Sequence, residues 1–207
     1  AMGFIMLFMI GGLTGLFLGS LSVDVHVHDT YFVVAHFHYV MVGSMLFAFL
    51  GGMHYWWPKM FGKMYHEWSA RIGAIIVYVG FNMTFFVQFV AGTQGMPRRY
   101  ADYPEQYTIY HEISTIGAYI LGVGLVWVLA VWIHSLLKGS PAPANPWGGN
   151  SLEWHTASPP PHENFHETPA GSDPYNYSGW RYDASIQGYV RTSKDLTGDE
   201  VEPSPAH

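Results

Sequence analysis

The chain has 207 residues, a formal net charge of −6 at pH 7 and no cysteine. Without cysteine, these residues cannot form disulfide bonds, thiolate iron–sulfur clusters or a thiolate copper centre. The acidic balance argues against nucleic acid as a partner.

Long stretches of the sequence carry no charged side chain. Each is long enough to cross about 30 Å of hydrocarbon, which takes about 20 helical residues. We therefore predict an all-α membrane protein with transmembrane helices at 1–21, 31–57, 70–95 and 111–137. The first stretch begins directly in apolar residues, without the basic region of a signal peptide, so we expect its helix to begin before Ala1.

The remainder, 139–207, has a different composition. Acidic and basic side chains balance up to Lys138, and the acidic excess lies entirely after it. This part is rich in Pro, Gly, Ser, Tyr and Trp and poor in aliphatic residues, so it cannot build a core of its own. We predict a four-helix transmembrane region at 1–138 followed by an extended polar tail at 139–207.

Basic residues favour the cytoplasmic side of a membrane. Lys59, Lys63 and Arg71 follow the second stretch, and Lys138 ends the fourth. This pattern predicts a cytoplasmic tail, and it places the loops at 22–29 and 96–112 outside.

Arg98 and Arg99 break the charge pattern in the second outer loop. A buried anion nearby would explain them, and a snorkelling pair bound to lipid phosphate or to Asp102 is the alternative. Polar side chains on the third helix, Asn82, Thr84 and Gln88, are expected either at a cofactor edge or in hydrogen bonds between helices.

His36 and His38 lie two residues apart within the second stretch. On an α-helix two steps turn a side chain by about 200°, so the imidazoles project from nearly opposite faces and cannot share one metal. Imidazoles inside a bilayer are costly, and haem iron is commonly held by histidine. The spacing predicts one helix between two haems; the alternative is that both histidines hydrogen-bond to neighbouring helices.

The run from Val25 to Val40, VHVHDTYFVVAHFHYV, resembles the tenth helix of subunit I of haem-copper cytochrome c oxidases and the segment before it. Further stretches agree in order and spacing: GMPRRY at 95–100, DYP at 102–104, NPWG at 145–148, LEW at 152–154 and SPPP at 158–161. The resemblance extends to about Phe165. It implies that the four helices form the C-terminal third of a twelve-helix bundle.

The resemblance also implies roles for individual residues. His36 corresponds to the proximal ligand of a high-spin haem whose open face meets copper, and His38 to one axial ligand of a low-spin haem. His28 and Asp29 correspond to magnesium ligands, with a further ligand from subunit II; Asp29 is also a candidate N-cap for the following helix. The positions of Asp24, Arg98 and Arg99 correspond to the surroundings of the haem propionates. The implied haems are of A type, although these residues do not select a haem type, and the copper ligands would lie in upstream helices.

The implied function is part of the catalytic subunit of an oxidase that reduces dioxygen to water with electrons from cytochrome c and pumps protons. Its implied location is the bacterial cytoplasmic membrane, with the mitochondrial inner membrane as the alternative. The implied partners are membrane lipid, the N-terminal helices of subunit I, a copper-bearing subunit II and subunit III. Whether those helices belong to the same polypeptide or to a separate chain is left open.

Other functions remain open at this point. A quinol oxidase of the same superfamily would share the histidine helix, and nitric oxide reductases use related geometry. Subunit II largely decides the electron donor. A non-enzymatic haem electron-transfer subunit would need deep histidines on two facing helices. A channel or transporter subunit with structural histidines would have no visible absorption spectrum.

Overall fold

The computed structural model of the chain describes residues 1–165, 180–185 and 188–191. Its contacts define two compact units. Unit 1 consists of residues 1–54 and 66–134, and unit 2 of residues 55–65 together with residues from 135 onward. Residues 166–179, 186–187 and 192–207 of the predicted tail lie outside the described residues.

The described helices follow the order expected from the uncharged stretches. They are α1 (Met2–Gly19), α2 (Leu21–Val27), α3 (Tyr31–Phe37), a π-helical segment (His38–Gly43), α4 (Ser44–Phe61), α5 (Glu67–Thr93) and α6 (Thr108–Lys138). Among the described residues, four spans are long and apolar enough to cross a membrane: Met2–Gly19, Tyr31–Phe61, Glu67–Thr93 and Glu105–Lys138. This confirms the predicted all-α transmembrane architecture.

The second span ends later than predicted. It was predicted to end at residue 57, but α4 continues through Pro58 to Phe61. Gly62 follows with a φ of 64°, the left-handed conformation that commonly closes a helix, and its N–H donates to the Pro58 carbonyl at 2.8 Å. Gly62, rather than Pro58, therefore marks the end of this helix.

Two local predictions before α3 are wrong. The segment 22–29 was expected to be a loop, but most of it forms the short helix α2. Asp29 was named as a candidate N-cap of α3, but the cap is Thr30, whose Oγ1 accepts from the Phe32 N–H at 3.2 Å. Asp29 has a φ of 54° instead, and its carboxylate accepts from Arg98.

The core of unit 1 lies where α1, α3 and α5 meet. Its buried side chains are Leu7, Val27, Phe32, Ala35, Tyr39, Phe81 and Phe89. A Cβ added at Gly92 would lie 2.0 Å from the Phe32 nitrogen, so α5 can approach α3 this closely only with glycine at that position. Small residues at such crossings allow dispersion contacts between helix backbones in place of a hydrophobic driving force.

Of the three polar side chains singled out on α5, two make hydrogen bonds to other helices. The Tyr39 hydroxyl donates to Asn82 Oδ1 at 2.8 Å, and Gln88 Nε2 donates to Ser114 Oγ at 3.2 Å. The Thr84 hydroxyl donates to the Gly80 carbonyl of its own helix. The interhelical alternative therefore holds for Asn82 and Gln88.

In unit 2, the end of α4 binds the first part of the predicted tail. Lys59 Nζ donates to the carbonyls of Ala144 at 2.8 Å and Thr156 at 2.7 Å. Trp154, only 1% exposed, donates from its indole nitrogen to the Tyr55 hydroxyl at 2.9 Å. The first part of the tail thus packs on the end of α4.

The described tail also contains short regular elements that the composition did not predict. A 3₁₀ turn covers Leu152–Trp154. Strand β1 (Trp180–Asp183) pairs antiparallel with β2 (Gly188–Arg191), with Tyr182 opposite Tyr189.

Candidate functional site

The candidate site begins where the second span changes its helical geometry. His36 lies in the last turn of α3, and His38 is the first residue of the π-helical segment. Such π-helical turns occur mostly within α-helices and frequently at functional sites. Here the wider turn begins at the second histidine of the pair.

His36 contacts α1. Its Nδ1 lies 2.9 Å from the Gly11 carbonyl oxygen and 3.2 Å from Thr14 Oγ1. A Cβ added at Gly15 would lie 2.9 Å from His36 Cε1, so the glycine leaves the space that the imidazole occupies. Gly11, Thr14 and Gly15 were not singled out from the sequence, because nothing in a run of apolar helix indicates which turn faces a histidine.

His38 contacts α5. Its Nδ1 lies 2.7 Å from the Val34 carbonyl oxygen, one turn earlier in its own helix. Its ring stacks on Phe85, with 4.2 Å between ring centroids and 17° between ring planes. The two imidazoles therefore contact different helices, as the two-residue spacing predicts.

The hydrogen bonds at Nδ1 determine the tautomer of both rings. A carbonyl oxygen only accepts, so Nδ1 carries the proton, and in a neutral imidazole Nε2 then holds the free lone pair. Among the described residues, neither Nε2 has a hydrogen-bond partner. Metal-ligating histidines commonly donate their other N–H to a backbone carbonyl, so both side chains fit axial ligation of haem iron.

The outer loops before α3 and after α5 are joined through their backbones. Tyr31 N–H donates to the Met96 carbonyl at 2.9 Å, and Arg98 N–H donates to the Asp29 carbonyl at 3.0 Å. The Arg98 guanidinium Nε also donates to the Asp29 carboxylate at 2.7 Å. This hydrogen bond is the largest cause of a pKa of Asp29 below its usual value.

His28 lies between two carboxylates. Its Nδ1 is 3.4 Å from the Asp24 carboxylate, and its Nε2 is 3.6 Å from that of Asp29. The four-residue spacing of Asp24 and His28 is a helical pairing, which was missed because 22–29 was interpreted as a loop. Within the described part of the chain, no three His, Asp or Glu side chains converge as a metal site.

The two neighbouring arginines have different surroundings. Arg98 binds Asp29, whereas the Arg99 side chain is exposed. Among the described residues neither arginine pairs with Asp102, whose carboxylate accepts from the Tyr103 N–H at 2.9 Å. The sequence analysis treated Arg98 and Arg99 as one unit, but in the structure the two side chains have different surroundings.

An aromatic cluster beside these loops was also missed. The hydroxyls of Tyr31 and Tyr100 lie 2.8 Å apart, and the His111 ring lies 4.1 Å from that of Tyr103. His111 Nε2 also lies 3.2 Å from the Met96 sulfur. The cluster packs the start of α3, the outer loop and the start of α6 together.

These features define a class of protein: an integral membrane protein of apolar helices in which one helix presents two histidines to two different neighbours. Comparisons with known proteins identify the class more closely. Residues 1–120 match the family described as "Cytochrome C and Quinol oxidase polypeptide I".

Curated relatives extend the match over most of the chain. The cytochrome c oxidase subunit 1 of Bacillus subtilis is 45% identical over 179 residues, covering 84% of this chain and 29% of the relative. That of Synechocystis is 46% identical over 200 residues, covering 96% and 36%. A solved structure, a heme-copper terminal oxidase dimer, superposes with a TM-score of 0.59 at 27% identity, covering 68% of this chain and 27% of that one.

The chain belongs to the Cytochrome C and Quinol oxidase polypeptide I family. It spans about a third of the length of these curated relatives. Its match to them is consistent with a C-terminal part of that subunit.

Proposed function

We propose that this chain forms part of the catalytic subunit of a terminal respiratory oxidase that reduces dioxygen to water. The observation that carries the proposal is the pair of histidines at 36 and 38, each with Nδ1 bound to a carbonyl and Nε2 left free for a ligand. Because the chain spans about a third of its relatives, the activity belongs to the assembled protein.

In this proposal the two histidines have separate roles. His36 would hold the iron of the high-spin haem, and His38 would hold the iron of the low-spin haem. The haems, of A type, and a copper ion held by upstream residues supply electron storage and oxygen binding. This chain contributes ring orientation, through the Gly11 and Val34 carbonyls, and apolar helices that exclude water.

Charged residues of the outer loops complete the proposed site. Asp24, Arg98 and Arg99 surround the haem propionates, and a positive charge there favours the reduced haem. His28 and Asp29 bind magnesium with a further ligand from subunit II. A hard cation such as magnesium takes oxygen ligands, which the Asp29 carboxylate would supply.

The proposed electron donor is cytochrome c, and the proposed reaction is coupled to proton pumping across the bacterial cytoplasmic membrane, with the tail on the cytoplasmic side. Subunits II and III and the N-terminal helices of subunit I are the proposed partners. A quinol oxidase is the second candidate, because the family description covers both donors.

A self-contained, non-enzymatic haem subunit has less support. It would need a second histidine facing His36 or His38 across a haem. Among the described residues, the hydrogen-bond and ring-stacking partners of these two imidazoles on α1 and α5 are Gly11, Thr14 and Phe85, none of which is a histidine. The proposal therefore takes the second protein ligand of the low-spin haem from another part of the assembly.

Spectroscopy of histidine variants tests the proposal. In the assembly purified from membranes, we expect His38→Ala to abolish the low-spin absorption band and to leave carbon monoxide binding at the high-spin haem. We expect His36→Ala to have the opposite effect. His26→Ala is the matched control, because His26 is exposed on α2. Identical spectral losses from the variants at 36 and 38 would contradict separate sites, and a wild-type assembly without a haem spectrum would contradict the function.

A further inference from the structure

The ring of His38 is restrained by more than its hydrogen bond. The Phe37 ring stacks on it with 4.5 Å between centroids and 29° between planes. The Phe85 ring, from α5, stacks more closely, at 4.2 Å and 17°. Two aromatic faces nearly parallel to an imidazole oppose rotation of that imidazole about its χ2 bond.

Phe85 is itself held by the core of unit 1. Its ring lies 4.7 Å from that of Phe81, which is fully buried. Phe81 in turn packs edge-on against Tyr39 at 5.1 Å, and the Tyr39 hydroxyl donates to Asn82. The stacking surface offered to His38 is therefore fixed by a row of packed aromatic rings on two helices.

The hydrogen bond and the stack restrain different properties of the imidazole. The bond from Nδ1 to the Val34 carbonyl determines which nitrogen is free. It leaves the ring able to tilt about the hydrogen-bond direction. A parallel ring at van der Waals distance removes this freedom, because tilting would bring ring atoms into overlap.

We propose that Phe85 is a positioning residue, which sets the plane of the His38 imidazole and thereby the electronic state of the iron that His38 binds. This inference rests on the proposed function of His38 as a haem ligand. The plane of an axial imidazole determines which iron d orbital its π system overlaps, so the orientation is visible in the spectrum of a low-spin ferric haem. Residues beyond the ligand commonly orient it in this way.

The test is electron paramagnetic resonance of the oxidised, fully assembled complex. For Phe85→Leu we expect haem content to be retained while the low-field signal of the low-spin haem shifts or broadens, because an aliphatic side chain offers no parallel face. Phe85→Tyr keeps the aromatic ring, so we expect it to give the wild-type signal. Phe86→Leu is the matched control, since Phe86 is 51% exposed and its ring packs on Phe89.

The possible outcomes separate this inference from the function beneath it. A wild-type complex without a low-spin haem signal would overturn the proposed function. A normal wild-type signal that is unchanged in Phe85→Leu, or changed equally in Phe85→Tyr, would overturn the positioning role. If Phe85→Leu fails to assemble, Phe85→Met, of similar volume and without a flat face, replaces it with the same expected shift and the same contrary result.

Discussion

Arg98 binds Asp29 through both its backbone and its side chain. The Arg98 N–H donates to the Asp29 carbonyl at 3.0 Å, and its guanidinium Nε donates to the carboxylate at 2.7 Å. The contact joins the outer loop before α3 to the loop after α5, close in sequence to the proposed haem ligands. It also means that the charge of Arg98 is largely balanced by a neighbouring anion.

This pairing predicts opposite electrochemical effects of two substitutions. Arg98→Gln leaves the Asp29 carboxylate uncompensated, so we expect the midpoint potential of at least one haem to fall. Asp29→Asn leaves the guanidinium uncompensated, so we expect a rise. Because both side chains are partly exposed and screened by solvent, the shifts should be on the order of tens of millivolts or less. Redox titration of the purified complex measures both.

The double variant Arg98→Gln with Asp29→Asn is the control for this prediction. Its net charge equals that of the wild type at this position, so its potential should lie between those of the single variants and near the wild-type value. Shifts of the same sign in both single variants would show that a change of fold, rather than charge, dominates.

The close approach of α1 to His36 gives a second prediction. Gly15→Ala places a methyl group 2.9 Å from His36 Cε1, closer than ordinary contact. We expect the imidazole to be displaced, with weakened carbon monoxide binding and an altered high-spin spectrum. Gly12→Ala on the same helix is the matched control, because a Cβ there meets no atom within 4 Å. Equal spectra for Gly15→Ala and Gly12→Ala would contradict the close contact between Gly15 and His36.

The transmembrane helices and the two directions of the histidines could be predicted from the sequence, because both depend on local properties. A charge-free stretch of sufficient length must hydrogen-bond its backbone internally in lipid, which leaves the helix as its structure. A spacing of two residues fixes the angle between His36 and His38 through helix geometry alone. Neither inference requires knowledge of which helices are neighbours.

The other parts of the site depend on contacts between distant residues. Asp29 and Thr30 are both typical caps, and the structure uses Thr30 while Arg98, from the loop after α5, binds Asp29. Phe85 is one of many aromatic residues in α5, and only the packing of α5 against α3 makes it the partner of His38. The π-helical segment that begins at His38 has no distinctive residue pattern, so hydropathy could not indicate it.

A third prediction concerns the hydrogen bond between Tyr39, which is fully buried, and Asn82, which is half-buried. Tyr39→Phe removes this bond, worth about 1 kcal/mol, and leaves Asn82 Oδ1 without this donor. We expect a shorter half-life of the purified complex at a fixed elevated temperature. Tyr119→Phe is the control, since Tyr119 is 73% exposed on α6. A half-life for Tyr39→Phe that matches the control would mean that the bond adds no net stability.

The last prediction concerns Lys59 in unit 2. Its side chain is 7% exposed, its ammonium donates to the Ala144 and Thr156 carbonyls, and it lies 5.3 Å from the ring centre of Trp154. Lys59→Met fills the space but leaves these carbonyls without their donor. A hydrogen bond to a charged group contributes about 1.5–3 kcal/mol. The part of the tail that Lys59 holds should therefore open at least about tenfold more often. Chymotrypsin should therefore cleave after Trp154 faster in the detergent-purified complex by a similar factor.

The control is Lys138→Met, because Lys138 lies at the exposed end of α6. We expect this variant to be cleaved at the wild-type rate. Equal rates in both variants would show that the tail is held by its tryptophans without help from the buried ammonium.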